Sequence, residues 1–69
     1  MEIWNAPGVK PDKPGEYRVA LDPADASPEV RRWWSGAEWS NPYLVTFSAA
    51  LKEKIRRESS SFMPFWLPV

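Results

Sequence analysis

The chain has 69 residues, with nine Lys or Arg balancing nine Asp or Glu, and neither His nor Cys. That length makes one domain, near the size at which a single core only just suffices, and the missing residues exclude disulfides, thiolate or imidazole metal sites and the usual neutral-pH general base. The zero net charge argues against a general nucleic-acid binder, which carries a basic excess to displace counterions, and equally against an acidic mimic of DNA.

Residues 5–15 hold three Pro and two Gly and read as an extended loop ending in a Pro-Gly turn. Ile3 and Trp4 before it are expected to tuck onto the core as a short edge segment. Glu16 to Leu21 then alternates, with Tyr17, Val19 and Leu21 on one side, the period of a half-buried strand. Asp22 to Pro28 is a loop, its aspartates serving turn chemistry rather than a cation.

A second strand runs from Glu29 to Trp34. Ser35-Gly36 reads as a tight two-residue turn, pairing Trp34 with Ala37, Trp33 with Glu38 and Arg32 with Trp39. Val30, Arg32, Trp34 and Trp39 then share one sheet face, and Arg31, Trp33 and Glu38 the other.

Asn41-Pro42 suits a helix start, with Thr46 and Ser48 as alternative caps. Leu44, Phe47, Leu51 and Ile55 recur at spacings of three and four as one apolar stripe, while Lys52, Glu53, Arg56 and Arg57 point away. The helix is expected to end near Glu58, before Ser59-Ser60-Ser61. The aromatic tail from Phe62 to Val69 should dock as a last strand or extended arm. The expected fold is therefore α+β: a small antiparallel sheet of three or four strands with one helix packed on it.

The order of these features resembles a family of short phage and prophage proteins of unknown function. Trp4 precedes Lys13-Pro14-Gly15-Glu16-Tyr17-Arg18-Val19, a Trp34-to-Trp39 hairpin follows, and the chain closes on Phe65-Trp66-Leu67-Pro68. Members of that family end in a His-Trp-Met-Pro-Leu-Pro-like motif. This chain lacks the tail His and inserts a basic helix before the tail. The resemblance implies a setting, an accessory protein acting inside a bacterium, and transfers no functional residue.

The candidate partner-binding residues are Arg31, Trp33, Glu38, Lys52, Arg56 and Arg57. Five Trp, two Tyr and three Phe are mostly needed for a core without staples, each ring burying roughly 150–250 Å². Trp33 is the exception, because its expected face carries Arg31 and Glu38 rather than aliphatics, and exposed Trp marks binding hot spots. The helix face Lys52, Lys54, Arg56 and Arg57 could attract phosphate or an acidic patch, against a plain reading as a solvated surface with Glu53–Arg57 and Lys54–Glu58 pairs. Arg31 and Arg32 beside Trp33 and Trp34 suit cation–π pairing, or stacking of a nucleobase.

No carboxylate or serine belongs to a catalytic signature, so the chain is read as a non-enzyme without cofactor or metal. No apolar run approaches the ~20 residues of a membrane span. The opening Met1-Glu2-Ile3-Trp4-Asn5 lacks the basic and apolar regions of a leader, which points to the cytoplasm. The leading expectation is an accessory protein that occludes a host protein, with a homodimer through open sheet edges as one form. A small-ligand or nucleotide sponge and a virion component are the alternatives. A sponge needs a concave pocket lined by Arg and Trp, an occluding inhibitor a flat patch.

Overall fold

Four strands form one antiparallel sheet in the order β3-β2-β1-β4 in the computed structural model, which describes residues 3–69. Met1 and Glu2, the first residues of the opening segment weighed above, lie outside the described residues. The strands are β1 (Gly15–Ala20), β2 (Val30–Trp34), β3 (Tyr43–Leu44) and β4 (Phe65–Pro68), with one helix, α1 (Ala49–Arg56), between the last two. This is the expected small α+β fold.

β1 occupies the centre because its alternation serves two neighbours. Its register sets Glu16 beside Trp33 and Tyr17 beside Arg32 on β2, and Val19 beside Trp66 on β4. Side chains alternate across a strand, so Tyr17, Val19, Val30, Arg32, Trp34 and Trp66 fall on one face. Val19, Trp34, Trp39 and Trp66 are buried there, with Tyr17 and Val30 packed against them. Their rings meet edge-on or tilted, Tyr17 to Trp66 at 5.1 Å and Trp34 to Trp39 at 5.1 Å between centroids, the arrangement the ring quadrupoles favour.

The proline-rich loop closes this core face. The Trp66 indole N–H donates to the Val9 carbonyl at 2.7 Å, and the Tyr17 hydroxyl to that of Lys13 at 2.7 Å. Both rings thus satisfy their polar ends on a segment whose prolines limit its own ladder. Ile3 does not tuck inward: it is exposed, and Asn5 makes the contact instead, exchanging backbone bonds with Trp66 at 3.0 and 3.2 Å.

The hairpin after β2 is wider than expected. Trp34 pairs with Trp39, not Ala37, and the Ser40 N–H reaches the Trp33 carbonyl at 2.8 Å. The Ser35 hydroxyl accepts from the Ala37 and Glu38 N–H groups, which fixes a four-residue loop, Ser35 to Glu38, with Gly36 at φ +103°. The register moves by two residues, so Trp39 keeps its expected face while Glu38 leaves the sheet.

Tyr43-Leu44 is a strand rather than a helix start, paired with Arg31 and Val30. Val45 donates to the Glu29 carbonyl at 2.9 Å, carrying the ladder one residue beyond Leu44. α1 starts later, where the Ser48 hydroxyl accepts from the Leu51 N–H, the ordinary N-cap bond. Leu44 and Phe47 therefore precede the helix, and Leu51 is exposed.

The sheet edges are guarded, which leaves little of the open edge expected to support a homodimer. β4 is flanked by Pro64, ends in Pro68 and is covered at Trp66 by Asn5; β3 has two residues and follows Pro42. No described helix is long and apolar enough to cross a membrane.

Candidate functional site

The sheet face opposite the core carries Glu16 and Arg18 from β1, Arg31 and Trp33 from β2, and Tyr43 from β3, by strand alternation and register. Arg56, in the last turn of α1, reaches onto this outer face. Its guanidinium lies 4.7 Å from the Trp33 ring centre and 5.6 Å from that of Tyr43. It also donates to Glu16 Oε1 at 3.3 Å and to the Tyr43 hydroxyl at 3.5 Å. The Tyr43 hydroxyl donates to the same Glu16 oxygen at 2.8 Å.

Glu16 thus gathers a phenol and two arginines, since Arg31 Nε stands 3.8 Å from its other oxygen. That separation is too long for a hydrogen bond but close enough for ionic attraction. Arg31 is held from the other side by the Pro28 and Val30 carbonyls. Burial pushes the Tyr43 phenol up to about 12, with the Arg56 bond opposing that rise and Glu16 adding to it. The Tyr43 hydroxyl bond holds the Arg56 guanidinium above its ordinary range, against partial burial. At the far side of this face, the Arg18 guanidinium lies 5.5 Å over the Trp4 ring.

The structure unites three of the six expected partner residues, Arg31, Trp33 and Arg56. Arg56 corrects the expectation that it points away with Arg57: the long stem and terminal cation let it cover aromatic surface from the margin of the helix. Arg57 remains outside in an i,i+4 pair with Glu53 at 3.2 Å, with both side chains well exposed. Glu58 accepts instead from Asn41 Nδ2 at 3.4 Å, and no Lys54–Glu58 pair is found among the described residues. Lys52 is half-buried. Glu38 is exposed in the hairpin loop and does not share a face with Trp33.

Sequence reasoning missed Glu16 and Tyr43. The period of β1 already set Glu16 opposite Tyr17, on the face with Arg18, and that alternation was the available signal. Tyr43 carried none, because its neighbours fit a helical spacing.

Two grooves lie elsewhere. One, of about 430 Å³, runs between the proline-rich loop and the serine run, with Lys10, Glu38, Trp34, Trp39 and Ser60 on its wall. The second, of about 370 Å³, lies between Leu21, Ala26, Val30, Pro42, Phe62 and Pro64 and holds the Arg32 side chain. Arg32 is only 8% exposed, bonds the Ser40 carbonyl at 2.9 Å and lies 4.9 Å from the Phe62 ring centre. It therefore stacks on neither Trp33 nor Trp34, and it stands opposite Tyr17 rather than Trp39. Asp22 at this rim caps the short 3₁₀ turn Pro23–Asp25 by accepting from the Ala24 N–H. Among the described residues no cluster of three or more acidic side chains could hold a metal.

No protein-family model matches the chain, nor does any curated protein or solved structure.

Proposed function

We propose that the protein is a phage-type accessory protein that binds a bacterial host protein and blocks it by occlusion, using the outer face that presents Trp33 and Arg56, braced from beneath by the buried Tyr43 and the largely buried Arg31. The observation that carries this reading is the position of Trp33 and Arg56. They are stacked on one another, outside either groove, on a surface rich in the residue types that dominate interface energetics. Trp33 is half-buried and the Arg56 side chain is 30% exposed, so each is held in place yet offers area to a partner. Such preorganisation lowers the entropic cost of association. The bacterial, phage-encoded setting rests on the resemblance carried by Lys13 to Val19, the hairpin tryptophans and Phe65 to Pro68.

A nucleotide sponge fits less well. Stacking and phosphate binding in one concavity need Arg and an aromatic plane together, whereas the larger groove has Trp without Arg, and in the smaller the one ring, Phe62, is stacked on Arg32 itself while Asp22 and Asp25 on the rim repel a phosphate.

The test is affinity capture from a bacterial lysate with the tagged protein, followed by reconstitution of any captured protein from purified components. Trp33→Ala and Arg56→Glu variants run alongside, with circular dichroism to certify their folds. The expected result is one stoichiometric protein retained by the parent and lost by both folded variants. Equal capture by the variants would move the surface elsewhere; a complex with nucleotide and no protein would remove the inhibitor reading.

A further inference from the structure

The sheet carries a third arginine, on the face opposite Arg18 and Arg31. Arg32 projects from β2, one of the two inner strands, onto the core face and is more than nine-tenths buried. Among the described residues no carboxylate forms an ion pair with it, and its guanidinium makes one hydrogen bond, to the Ser40 carbonyl. A guanidinium has five N–H donors. Burying such a cation without a counter-charge is costly, and burial does lower the pKa of Arg32. The pocket beside it is bounded largely by aliphatic and proline side chains, and the Phe62 ring is stacked on the guanidinium. Stacking on one face leaves the in-plane donor edge as the route for an incoming anion.

We infer that this groove is a binding site for a small apolar carboxylate, its charge held by the Arg32 guanidinium and its apolar body lying against Val30, Leu21, Phe62 and Pro64. About 370 Å³ falls within the size of small-ligand sites, which pair an apolar lining with a few polar anchors. Asp22 and Asp25 stand on the same rim. Their negative charge disfavours a dianion such as phosphate, whereas a monoanion with an apolar tail keeps its charge at the arginine. The site is on the core face, away from Trp33 and Arg56, and does not depend on the protein-binding reading.

Titration of the intact protein with octanoate, followed by isothermal calorimetry and by nuclear magnetic resonance of the Phe62 ring and Arg32 guanidinium protons, tests this. Saturable one-to-one binding with shifts confined to the groove is expected. Octanamide, with the same chain and no charge, should bind about ten- to a hundredfold more weakly, the size of a lost charge-assisted bond, and inorganic phosphate should not compete. An Arg32→Met variant keeps the volume of the stem and should lose the octanoate preference while remaining folded. Octanamide binding as tightly as octanoate to the parent protein would overturn the inference without recourse to any variant. Absence of saturable octanoate binding, or an unchanged preference in folded Arg32→Met, would do the same.

Discussion

The Arg56 guanidinium sits 4.7 Å above the centre of the Trp33 ring while bonding Glu16 at 3.3 Å, so one side chain ties the end of α1 to two strands. The helix has eight residues and none is buried. A helix so short is unstable alone in water, which makes this clasp and the Ser48 cap its main described attachments.

Arg56→Ala should therefore cost about 1–2 kcal/mol, combining a cation–π contact with a charge-assisted hydrogen bond. Arg57→Ala, one residue on, loses only an exposed helical pair and should cost less than about 0.5 kcal/mol. Urea denaturation of the two variants makes the comparison. Equal losses would mean that Arg56 is a solvated surface residue like its neighbour.

Tyr43 predicts a specific alkaline response. Its folded pKa of about 12 lies above the ordinary value of about 10 expected in the unfolded chain. The protonated phenol is favoured by the fold, so stability is complete below pH ~10 and declines as the pH climbs towards ~12. Tyr43→Phe should remove that part of the decline and cost about 1 kcal/mol at neutral pH for the lost Glu16 bond. Chemical denaturation at a series of pH values, with phenolate absorbance to follow Tyr43 and Tyr17, reads both effects. An unchanged alkaline slope in the variant would contradict the assignment.

Trp33 and Trp34 are adjacent in sequence and opposite in consequence. Trp34 is 3% exposed within the aromatic core, and truncating such a ring to Ala costs about 3–5 kcal/mol. That is comparable to the whole stability of a domain this size, roughly 3–10 kcal/mol at typical values per residue. Trp34→Ala should be unfolded by circular dichroism at ambient temperature. Trp33→Ala should fold, with a loss of about 1–2 kcal/mol from its cation–π contact and partial burial. An unfolded Trp33→Ala would make that ring core and withdraw it from any partner surface.

The contrast between those two rings was legible in the sequence, since alternation alone assigns neighbours in a strand to opposite faces. Most of β1 was legible by its period, although Leu21, expected on its buried face, lies past the end of the strand and is exposed; Phe65–Pro68 was legible by aromatic density between prolines. The β3 strand was not. Leu44, Phe47, Leu51 and Ile55 satisfy a helical spacing by themselves, and what overrides it is the pairing of Tyr43 with Arg31, a contact that no local window contains. The hairpin register failed on a smaller matter: the Ser35 hydroxyl caps two N–H groups and widens the loop. Arg56 lay beyond reach because a long cationic side chain chooses its direction by what the fold sets beside it. Alternation set Arg32 on the face of Val30, Trp34 and Trp39, but the depth of its burial depended on where residues 40 and 62 would fall.

The Asn5–Trp66 bridge joins the two ends of the described chain across 61 positions, and β4 pairs with the middle of the sheet through β1. Trp66 is also a wall of the core. During synthesis, residues 3 to 65 therefore emerge with their aromatic core one wall short, and no amino-terminal portion can settle into its final packing first. The core is complete only once Trp66 has joined it, and contacts so distant in sequence slow folding. Until then the exposed tryptophans are the nascent chain's chief hazard.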